Sequence, residues 1–311
     1  MMSKKIFLMG PTATGKTEVA KILFDNFPIE IISVDSAQIY KGLNIGSAKL
    51  KTNELAKYPH HLVDCKNPCD RYSVNEFKLD VDKVSAQIYK ENKIPILVGG
   101  TMMYFNSLEN PLNEMPESTS EARQSVKKDL DRYGLEKLYK KLADIDPVSI
   151  KKIKSKDTQR IMRALEVYYI SGKPLSFYHT ANIKRETNYK FHKIALMPLD
   201  RVLLNSRIEI RVKDMLKNGF IEEVESLLEN NPSLDLTYPA LRSVGYKQVY
   251  EHIMGLIPLS DLTERIVIAT RQLAKRQMTW IRGMDDLLMV DPFDKSLDIN
   301  IIKSVKNFIE Q

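Results

Sequence analysis

Short apolar runs, each followed by polar or glycine-rich residues, mark the N-terminal part of the chain. They cover Lys4 to Met9, Ile29 to Val34 and Ile94 to Val98. Between them, amphipathic periodicity predicts helices over Glu18 to Phe27 and Ser73 to Asn92. Continuous apolar strands that alternate with helices are typical of a parallel sheet covered on both faces. The pattern therefore predicts an α/β fold.

The pattern changes near Pro111 to Pro116. Beyond this segment only helical periodicity follows, and Gly172 with Pro174 ends the last helix in the usual order of glycine, then proline. The stretch is predicted to be an all-helical insertion in the α/β core. Its predicted helices run over Ser118 to Arg132, Leu135 to Ala143, Pro147 to Lys152 and Asp157 to Ile170.

A strand-like run at Phe191 to Met197 predicts that the chain then returns to the sheet. A last strand is predicted at Leu287 to Val290. The predicted organisation is an α/β core of residues 1–114 and 189–311 with a helical insertion domain of residues 115–188. The later helices are predicted over Leu199 to Leu216, Phe220 to Glu229, Thr263 to Arg282 and Ile301 to Ile309.

The formal net charge of +7 is concentrated in one internal segment. Residues 121–200 contain 18 Lys and Arg against 10 Asp and Glu, whereas the remaining residues contain 29 and 30. Such a segment suits a polyanionic partner, although a solvated helical surface has the same composition. No apolar run reaches the ~18 residues of a membrane helix, and the N-terminus leaves no room for a signal peptide. A cytoplasmic protein without membrane contact is expected.

The segment Gly-Pro-Thr-Ala-Thr-Gly-Lys-Thr matches the phosphate-binding P-loop pattern in full. It follows a predicted strand and opens a predicted helix, which is the context that the motif requires. Its glycines let backbone amides surround a phosphate, its lysine neutralises phosphate oxygens, and its last threonine offers a hydroxyl to Mg²⁺. The motif predicts a bound polyphosphate, either the triphosphate of a nucleotide such as ATP or a diphosphate. The candidate residues are Gly10, Pro11, Thr12, Ala13, Thr14, Gly15, Lys16 and Thr17.

Polar residues also follow the second and third strands. Asp35 follows the second strand, where parallel sheets bind ligands, and it suits a magnesium ligand, a general base or a helix N-cap equally well. Its neighbours Ser36 and Gln38 carry groups suited to reading a base. The third strand ends in Gly99-Gly100, without the acidic residue of a Walker B strand, which argues against a standard ATPase or GTPase. Thr101 either caps the next helix or directs its hydroxyl to a ligand.

Arginines provide further candidates on two predicted helices. Arg207 and Arg211 are four residues apart and share one helix face, from which they either close over a diphosphate or face solvent. Gln159, Arg160 and Arg163 lie on the last helix of the insertion. These residues either contact a nucleic-acid backbone or face water.

From end to end, the chain resembles the tRNA dimethylallyltransferases, also called tRNA isopentenyltransferases, of bacterial type. Many spaced matches in the same order are more specific than a P-loop alone. The matching stretches are GPTATGKT at 10–17, ISVDSAQIYKGLNIGSAK at 32–49, HHLVD at 60–64, ILVGGT at 96–101, QRIMRALEVYYISGKPLS at 159–176, RIEIRV at 207–212, GFIEEV at 219–224, SVGYKQ at 243–248 and TRQLAKRQMTWIRG at 270–283.

The resemblance implies that a dimethylallyl group passes from dimethylallyl diphosphate to the exocyclic amine of the adenosine on the 3′ side of the anticodon. Diphosphate is then released from the P-loop, with Mg²⁺ on Thr17. Asp35 would accept a proton from the attacking amine, and Thr101 would position donor and base. Arg211, alone or with Arg207, would reach the diphosphate from the far side.

The resemblance also implies that the helical insertion binds the anticodon stem-loop of tRNA, with the adenine out of its stack. We expect the protein to be a monomer. One departure concerns Met102-Met103, which stand where the family has Gly-Leu and could reshape the prenyl pocket. The implied tRNA-binding residues are Asp35, Ser36, Ala37, Gln38, Thr101, Arg123, Gln159, Arg160, Ile161, Met162 and Arg163.

Two alternatives share some of these features. A P-loop kinase would have the same fold, loop and Mg²⁺, but would transfer the γ-phosphate of ATP. An RNA-binding protein switched by a nucleotide would explain the charge and the P-loop, but would not require Asp35.

Overall fold

A parallel sheet organises the larger part of the structure, a computed structural model that describes residues 3–110, 115–180 and 189–311. Within these residues the strands are β1 (Ser3–Met9), β2 (Ile29–Val34), β3 (His60–His61), β4 (Ile94–Gly99), β5 (Tyr189–Leu196) and β6 (Leu287–Val290). They form one sheet in the order β3-β2-β4-β1-β5-β6, and every neighbouring pair is parallel. The predicted α/β fold with a parallel sheet is confirmed.

Helices make up most of the remaining described chain. The sequence pattern does not predict β3 or the short helices at Thr52–Lys57, Leu175–Thr180 and Tyr246–Ile253. Elements of two to eight residues carry too little periodicity to be recognised. Among the described residues, no helix has both the length and the apolar character needed to cross a membrane. The helices are α1 (Lys16–Asn26), α2 (Thr52–Lys57), α3 (Val74–Lys90), α4 (Met102–Glu109), α5 (Ser120–Ile145), α6 (Thr158–Ser171), α7 (Leu175–Thr180), α8 (Arg201–Lys217), α9 (Phe220–Asn230), α10 (Tyr246–Ile253), α11 (Leu259–Arg282) and α12 (Leu297–Glu310), with a 3₁₀ helix at Ser149–Lys151.

Alternate residues of the central strand β1 point to opposite faces of the sheet. Ile6 and Leu8 pack with α1 and α12. Phe7 and Met9 belong to a larger apolar layer that includes residues of α3, α4 and α8 to α11. Both faces are therefore covered, which explains the continuous apolar strands. The loops after β1, β2 and β4, which are neighbours in the sheet, meet at its carboxyl edge.

The chain divides into two compact units. Met1–Glu109 with Thr187–Gln311 forms the first, called here the α/β unit, and Asn110–Glu186 forms the second, called the helical unit. The predicted boundaries at 114 and 188 fall in segments 111–114 and 181–188, which lie outside the described residues. The helical unit has its own apolar core, with buried residues from α5 and α6.

Gly134 interrupts α5 with a backbone conformation that is not helical (φ 76°, ψ 163°). The sequence predicts two helices here, Ser118 to Arg132 and Leu135 to Ala143. The predicted break between them is confirmed by this backbone conformation. Glycine suits the position because it adopts a positive φ at little energetic cost.

Candidate active site

The P-loop connects β1 to α1 and is held in shape by its own residues. Ala13 (φ 65°) and Gly15 (φ 84°) are left-handed, a feature typical of turns whose backbone amides line an anion-binding concavity. Thr14 is buried, and its hydroxyl donates a hydrogen bond to the carbonyl of Pro11 at 2.8 Å. Thr14 therefore shapes the loop with its side chain, so that only its backbone is left to contact a phosphate.

Lys16 begins α1 and turns its amine back onto the loop. The Nζ atom donates to the carbonyl oxygens of Gly10 at 2.9 Å and Pro11 at 2.7 Å. The pKa of Lys16 is lowered to about 7, mainly by burial and also by the charge of Arg211, while the carboxylate of Asp35 opposes the change. Lys16, Arg211 and Asp35 thus lie close enough to interact electrostatically. The site favours a polyanion, because such a ligand would stabilise the charged lysine.

The two candidate arginines of α8 have different surroundings. Arg211 is half-buried and donates a long hydrogen bond, 3.5 Å, to the carbonyl of Ser47. Burial lowers the pKa of Arg211, and the carboxylate of Asp35 opposes this. Arg207 is exposed, and its guanidinium lies 5.3 Å from the ring centroid of Phe293. The structure therefore brings Arg211 into the environment of Lys16 and Asp35 and places Arg207 against an aromatic ring.

Asp35 follows β2 and organises the turn after it. Its Oδ1 accepts hydrogen bonds from the backbone amides of Ala37 at 2.8 Å and Gln38 at 3.2 Å. Turn residues follow rather than a helix, so the N-cap alternative is wrong. In the part of the chain that the structure describes, no hydrogen bond involves the second carboxylate oxygen. One oxygen therefore fixes the turn, and the other is available to a substrate.

Thr101 links the end of β4 to this turn. Its hydroxyl accepts a hydrogen bond from the backbone amide of Ser36 at 3.1 Å, and its own amide donates to the carbonyl of Val34 at 3.2 Å. The side chain thus binds the Asp35 turn. A hydroxyl that accepts one hydrogen bond still has a proton to donate.

Gln38 uses its side chain within the protein. Its Nε2 donates to the carbonyl of Ser47 at 3.2 Å, and its Oε1 accepts from the hydroxyl of Ser33 at 3.3 Å. Ser36 is exposed and Ala37 is half-buried. The role of this turn in reading a base stays a prediction, with Ser36 as its most accessible side chain.

Glu223 on α9 holds the loop that includes Ser47, a contact that the sequence analysis does not predict. Its Oε2 accepts from the amides of Asn44 at 3.1 Å and Ile45 at 2.7 Å. Its Oε1 accepts from the amide of Gly46 at 3.3 Å and from the hydroxyl of Tyr246 at 2.7 Å. The loop carbonyl that receives Arg211 is therefore fixed by a carboxylate from another helix. Glu223 and Tyr246 lie in the GFIEEV and SVGYKQ stretches, which match the resembled family. Those matches were the signal from which the contact could have been suspected.

Two candidate residues of the helical unit are accessible and one is not. Gln159 and Arg160 are exposed on the first turn of α6. Ile161 is fully buried in the core of the helical unit. Its side chain cannot contact an RNA from there, so the inclusion of Ile161 among the tRNA-binding residues is corrected. Met162, the next residue, is half-buried.

The remaining arginines of the helical unit make contacts within it. Arg163 donates through Nη2 to the carbonyl of Pro116 at 2.8 Å and lies 3.6 Å from the Glu166 carboxylate. Arg123 donates through Nε to the hydroxyl of Ser118 at 2.7 Å. Both arginines therefore support the unit, and their contact with tRNA stays a prediction.

The two methionines after Thr101 differ in exposure. Met102 is buried in the main core, whereas Met103 is 50% exposed. The larger side chain at position 102 is thus accommodated by the core. The effect of Met103 on a prenyl pocket stays a prediction.

The residues at this edge fit a magnesium ion that arrives with a diphosphate. Thr17 offers a hydroxyl on the first turn of α1, directly after the P-loop. Among the described residues, no group of three or more His, Cys, Asp or Glu could hold a metal ion. Mg²⁺ commonly binds through one or two protein oxygens, substrate phosphates and water, and this donor set is of that kind.

Comparison with known proteins gives one consistent family. The sequence model described as IPP transferase matches residues 38–284. The tRNA dimethylallyltransferase of Legionella pneumophila (strain Philadelphia 1) is 44% identical over 310 residues, covering 99% of this chain and 98% of that protein.

Two solved structures have the same fold. The tRNA isopentenylpyrophosphate transferase of Bacillus halodurans has a TM-score of 0.70 and 30% identity, covering 99% of this chain and 96% of that one. A eukaryotic dimethylallyltransferase acting on tRNA has a TM-score of 0.82 and 27% identity, covering 99% and 80%. On these matches, the chain belongs to the IPP transferase family, the family of the tRNA dimethylallyltransferases.

Proposed function

We propose that the protein transfers a dimethylallyl group from dimethylallyl diphosphate to the exocyclic amine of the adenosine 3′-adjacent to the anticodon of tRNA. The products are isopentenyladenosine and diphosphate. Family membership supports the reaction type, since the relatives are named for this transfer. The solved eukaryotic relative that acts on tRNA supports the acceptor.

The observation that carries the proposal is the meeting of two cations and one carboxylate at the carboxyl edge of the sheet. Lys16, Arg211 and Asp35 interact electrostatically there. Cations stabilise a leaving diphosphate, whose negative charge grows as the carbon–oxygen bond breaks. A carboxylate beside them suits the removal of a proton from an attacking amine.

The reaction breaks the bond between the allylic carbon and the diphosphate oxygen and forms a bond between that carbon and the adenine nitrogen. Lys16 and Arg211 bind the departing oxygens from two elements, α1 and α8. The free oxygen of Asp35 accepts the proton that the amine loses, and Thr101 holds the turn that carries Asp35. When bound, Mg²⁺ on Thr17 would supply further positive charge to the diphosphate.

The partner is the anticodon stem-loop of tRNA, with the helical unit as its binding surface. Exposed Gln159 and Arg160, together with the positive charge of residues 121–200, support this assignment. We further propose that the protein acts as a monomer in the cytoplasm, where its tRNA substrate is found.

The test incubates purified protein with Mg²⁺, dimethylallyl diphosphate and an unmodified anticodon stem-loop, without ATP. Mass spectrometry of the digested RNA should detect a prenylated adenosine. Absence of this product, with full-length unmodified tRNA as well, would contradict the proposal. A parallel reaction with ATP and no prenyl donor detects phosphoryl transfer, which would favour a kinase.

A further inference from the structure

Gln277 lies on α11 and connects two loops of the site. Its Oε1 accepts a hydrogen bond from the backbone amide of Thr12 at 2.9 Å, and its Nε2 donates to the carbonyl of Gly100 at 2.9 Å. The side chain is 8% exposed. An amide N–H can only donate and a carbonyl can only accept, so the side-chain amide has one possible orientation.

Gly100 leaves the space that this amide occupies. A Cβ atom at position 100 would lie 2.3 Å from Nε2 of Gln277. Real Cβ atoms do not approach other heavy atoms so closely, so a side chain there would displace the Gln277 amide. Gly100, the residue directly after β4, thus has a specific partner, which explains why a larger residue is absent there.

A second hydrogen bond links the residue after Gly100 to the turn that carries Asp35, the proposed base. Thr101, which follows Gly100, accepts a hydrogen bond from the amide of Ser36 at 3.1 Å, and Ser36 follows Asp35. A continuous path of backbone and hydrogen bonds therefore runs from the P-loop through Gln277 to the Asp35 turn. The path joins the loop that would hold the donor to the turn that would deprotonate the acceptor.

We propose that Gln277 is a positioning residue that sets the separation between the P-loop and the turn bearing Asp35. The inference rests on the proposed function, because the separation matters only if donor and acceptor react between these loops. A displacement of about 1 Å between reacting groups costs up to ~10²-fold in rate. The Thr12 amide is already engaged, so the amides that bind phosphate come from later in the loop.

The effect is expected in kcat. Both polar groups of the Gln277 side chain are engaged by backbone groups of the two loops, so its loss should misalign the reactants and leave their binding in place. Gln277→Met keeps the bulk of the side chain and removes both hydrogen bonds. Gly100→Ala displaces the same amide without altering Gln277. Gln272, exposed on the same helix, provides the matched control Gln272→Met.

The experiment measures kcat, donor KM, the Kd of inorganic diphosphate and thermal unfolding for the parent, both single variants, the double variant and the control. Each single variant should lose about 10- to 100-fold in kcat, with KM and Kd within about 3-fold. The double variant should lose no more than the worse single one, because both remove one contact. The inference would be overturned if the two losses in kcat multiplied in the double variant, or if the single variants changed only KM.

Hydrogen exchange gives a second readout that needs no turnover. In Gln277→Met, amides in the P-loop and in the Asp35 turn should both exchange faster than in the parent, whereas Gln272→Met should change neither. Faster exchange in the P-loop alone would overturn the link between the loops. A parent protein that makes no prenylated adenosine would contradict the proposed function instead, and exchange would still report on the link.

Discussion

The candidate catalytic residues of the α/β unit and the first turn of α6 in the helical unit differ in how their side chains are held. In the α/β unit, Thr101 and Arg211 are each bonded to the backbone of another segment. In the helical unit, Gln159 and Arg160 are exposed on the first turn of α6. Groups that stabilise a transition state must be fixed before the substrate arrives, whereas groups that bind a flexible RNA loop need not be.

This comparison leads to different expected effects of substitution. Changes in the α/β unit should lower the rate of the chemical step by orders of magnitude. Changes on the exposed surface of the helical unit should weaken RNA binding by small, salt-dependent amounts.

The largest effect is expected for Asp35→Asn. Asparagine keeps an oxygen for the amides of Ala37 and Gln38, so the turn should persist, but it cannot take up a proton at neutral pH. We expect kcat to fall by about 10³-fold, within the usual range for a lost general base. Single-turnover kinetics and a tRNA binding assay check this. An equal loss of tRNA affinity would contradict the comparison, because Asp35 would then act as an RNA contact.

The next effect separates the two arginines of α8. Arg211→Gln should lower kcat/KM for the donor by about 10- to 100-fold, since a charge-assisted hydrogen bond to the diphosphate is lost. Arg207→Gln serves as the matched control, because that side chain is exposed beside Phe293. Steady-state kinetics with varied dimethylallyl diphosphate measure both. A larger loss for Arg207→Gln would reverse the assignment.

A third prediction concerns Lys16 and pH. Its pKa is lowered to about 7 in the free protein, and a bound diphosphate should raise it. Below pH 7 the lysine is protonated in both states, so its contribution to affinity is constant. Above pH 7 binding must take up a proton, and affinity should fall by up to about tenfold per pH unit.

Calorimetry of inorganic diphosphate binding in EDTA, in two buffers of different ionisation enthalpy, measures this proton uptake. Lys16→Arg is the control, since arginine stays charged and its complex reports only the ionisation of the ligand. Equal proton uptake by parent and control would exclude Lys16 as the titrating group.

The smallest effect is expected for Arg160→Ala. Loss of one exposed cation should weaken stem-loop binding by a few-fold and reduce the dependence of log K on log salt by about 1. Lys140→Ala, exposed on α5, is the comparison within the same unit. Binding titrations over a range of salt concentrations give the slope. A change in kcat at saturating RNA would contradict this prediction, because Arg160 would then act in the chemical step and not only in RNA binding.

Much of the sheet could be predicted because its strands are continuous apolar runs that end in recognisable loops. The predicted strand over Ile29 to Val34 has its observed bounds. The P-loop was recognisable because its whole motif lies in eight consecutive residues, 10–17. Helical spacing placed Arg207 and Arg211 on one face but could not decide between them, because their burial depends on distant segments.

Contacts between distant segments account for what the sequence did not predict. Gln277 binds Thr12 across 265 positions and Gly100 across 177. No periodicity encodes such a pair, and a glutamine on a basic helix is usually a solvated residue. Ile161 illustrates the opposite error, since a matched stretch placed it with RNA contacts although its apolar side chain packs in the helical unit.

The discontinuous α/β unit also has a consequence during translation. The ribosome releases the P-loop and Asp35 early, whereas β5, the strand beside β1, emerges only after the whole helical unit. Arg211 and Gln277 emerge later still. Because domains assemble as the chain lengthens, a nascent chain can complete its helical unit well before α11 arrives. The growing polypeptide should therefore gain affinity for RNA before it gains any capacity to alkylate it.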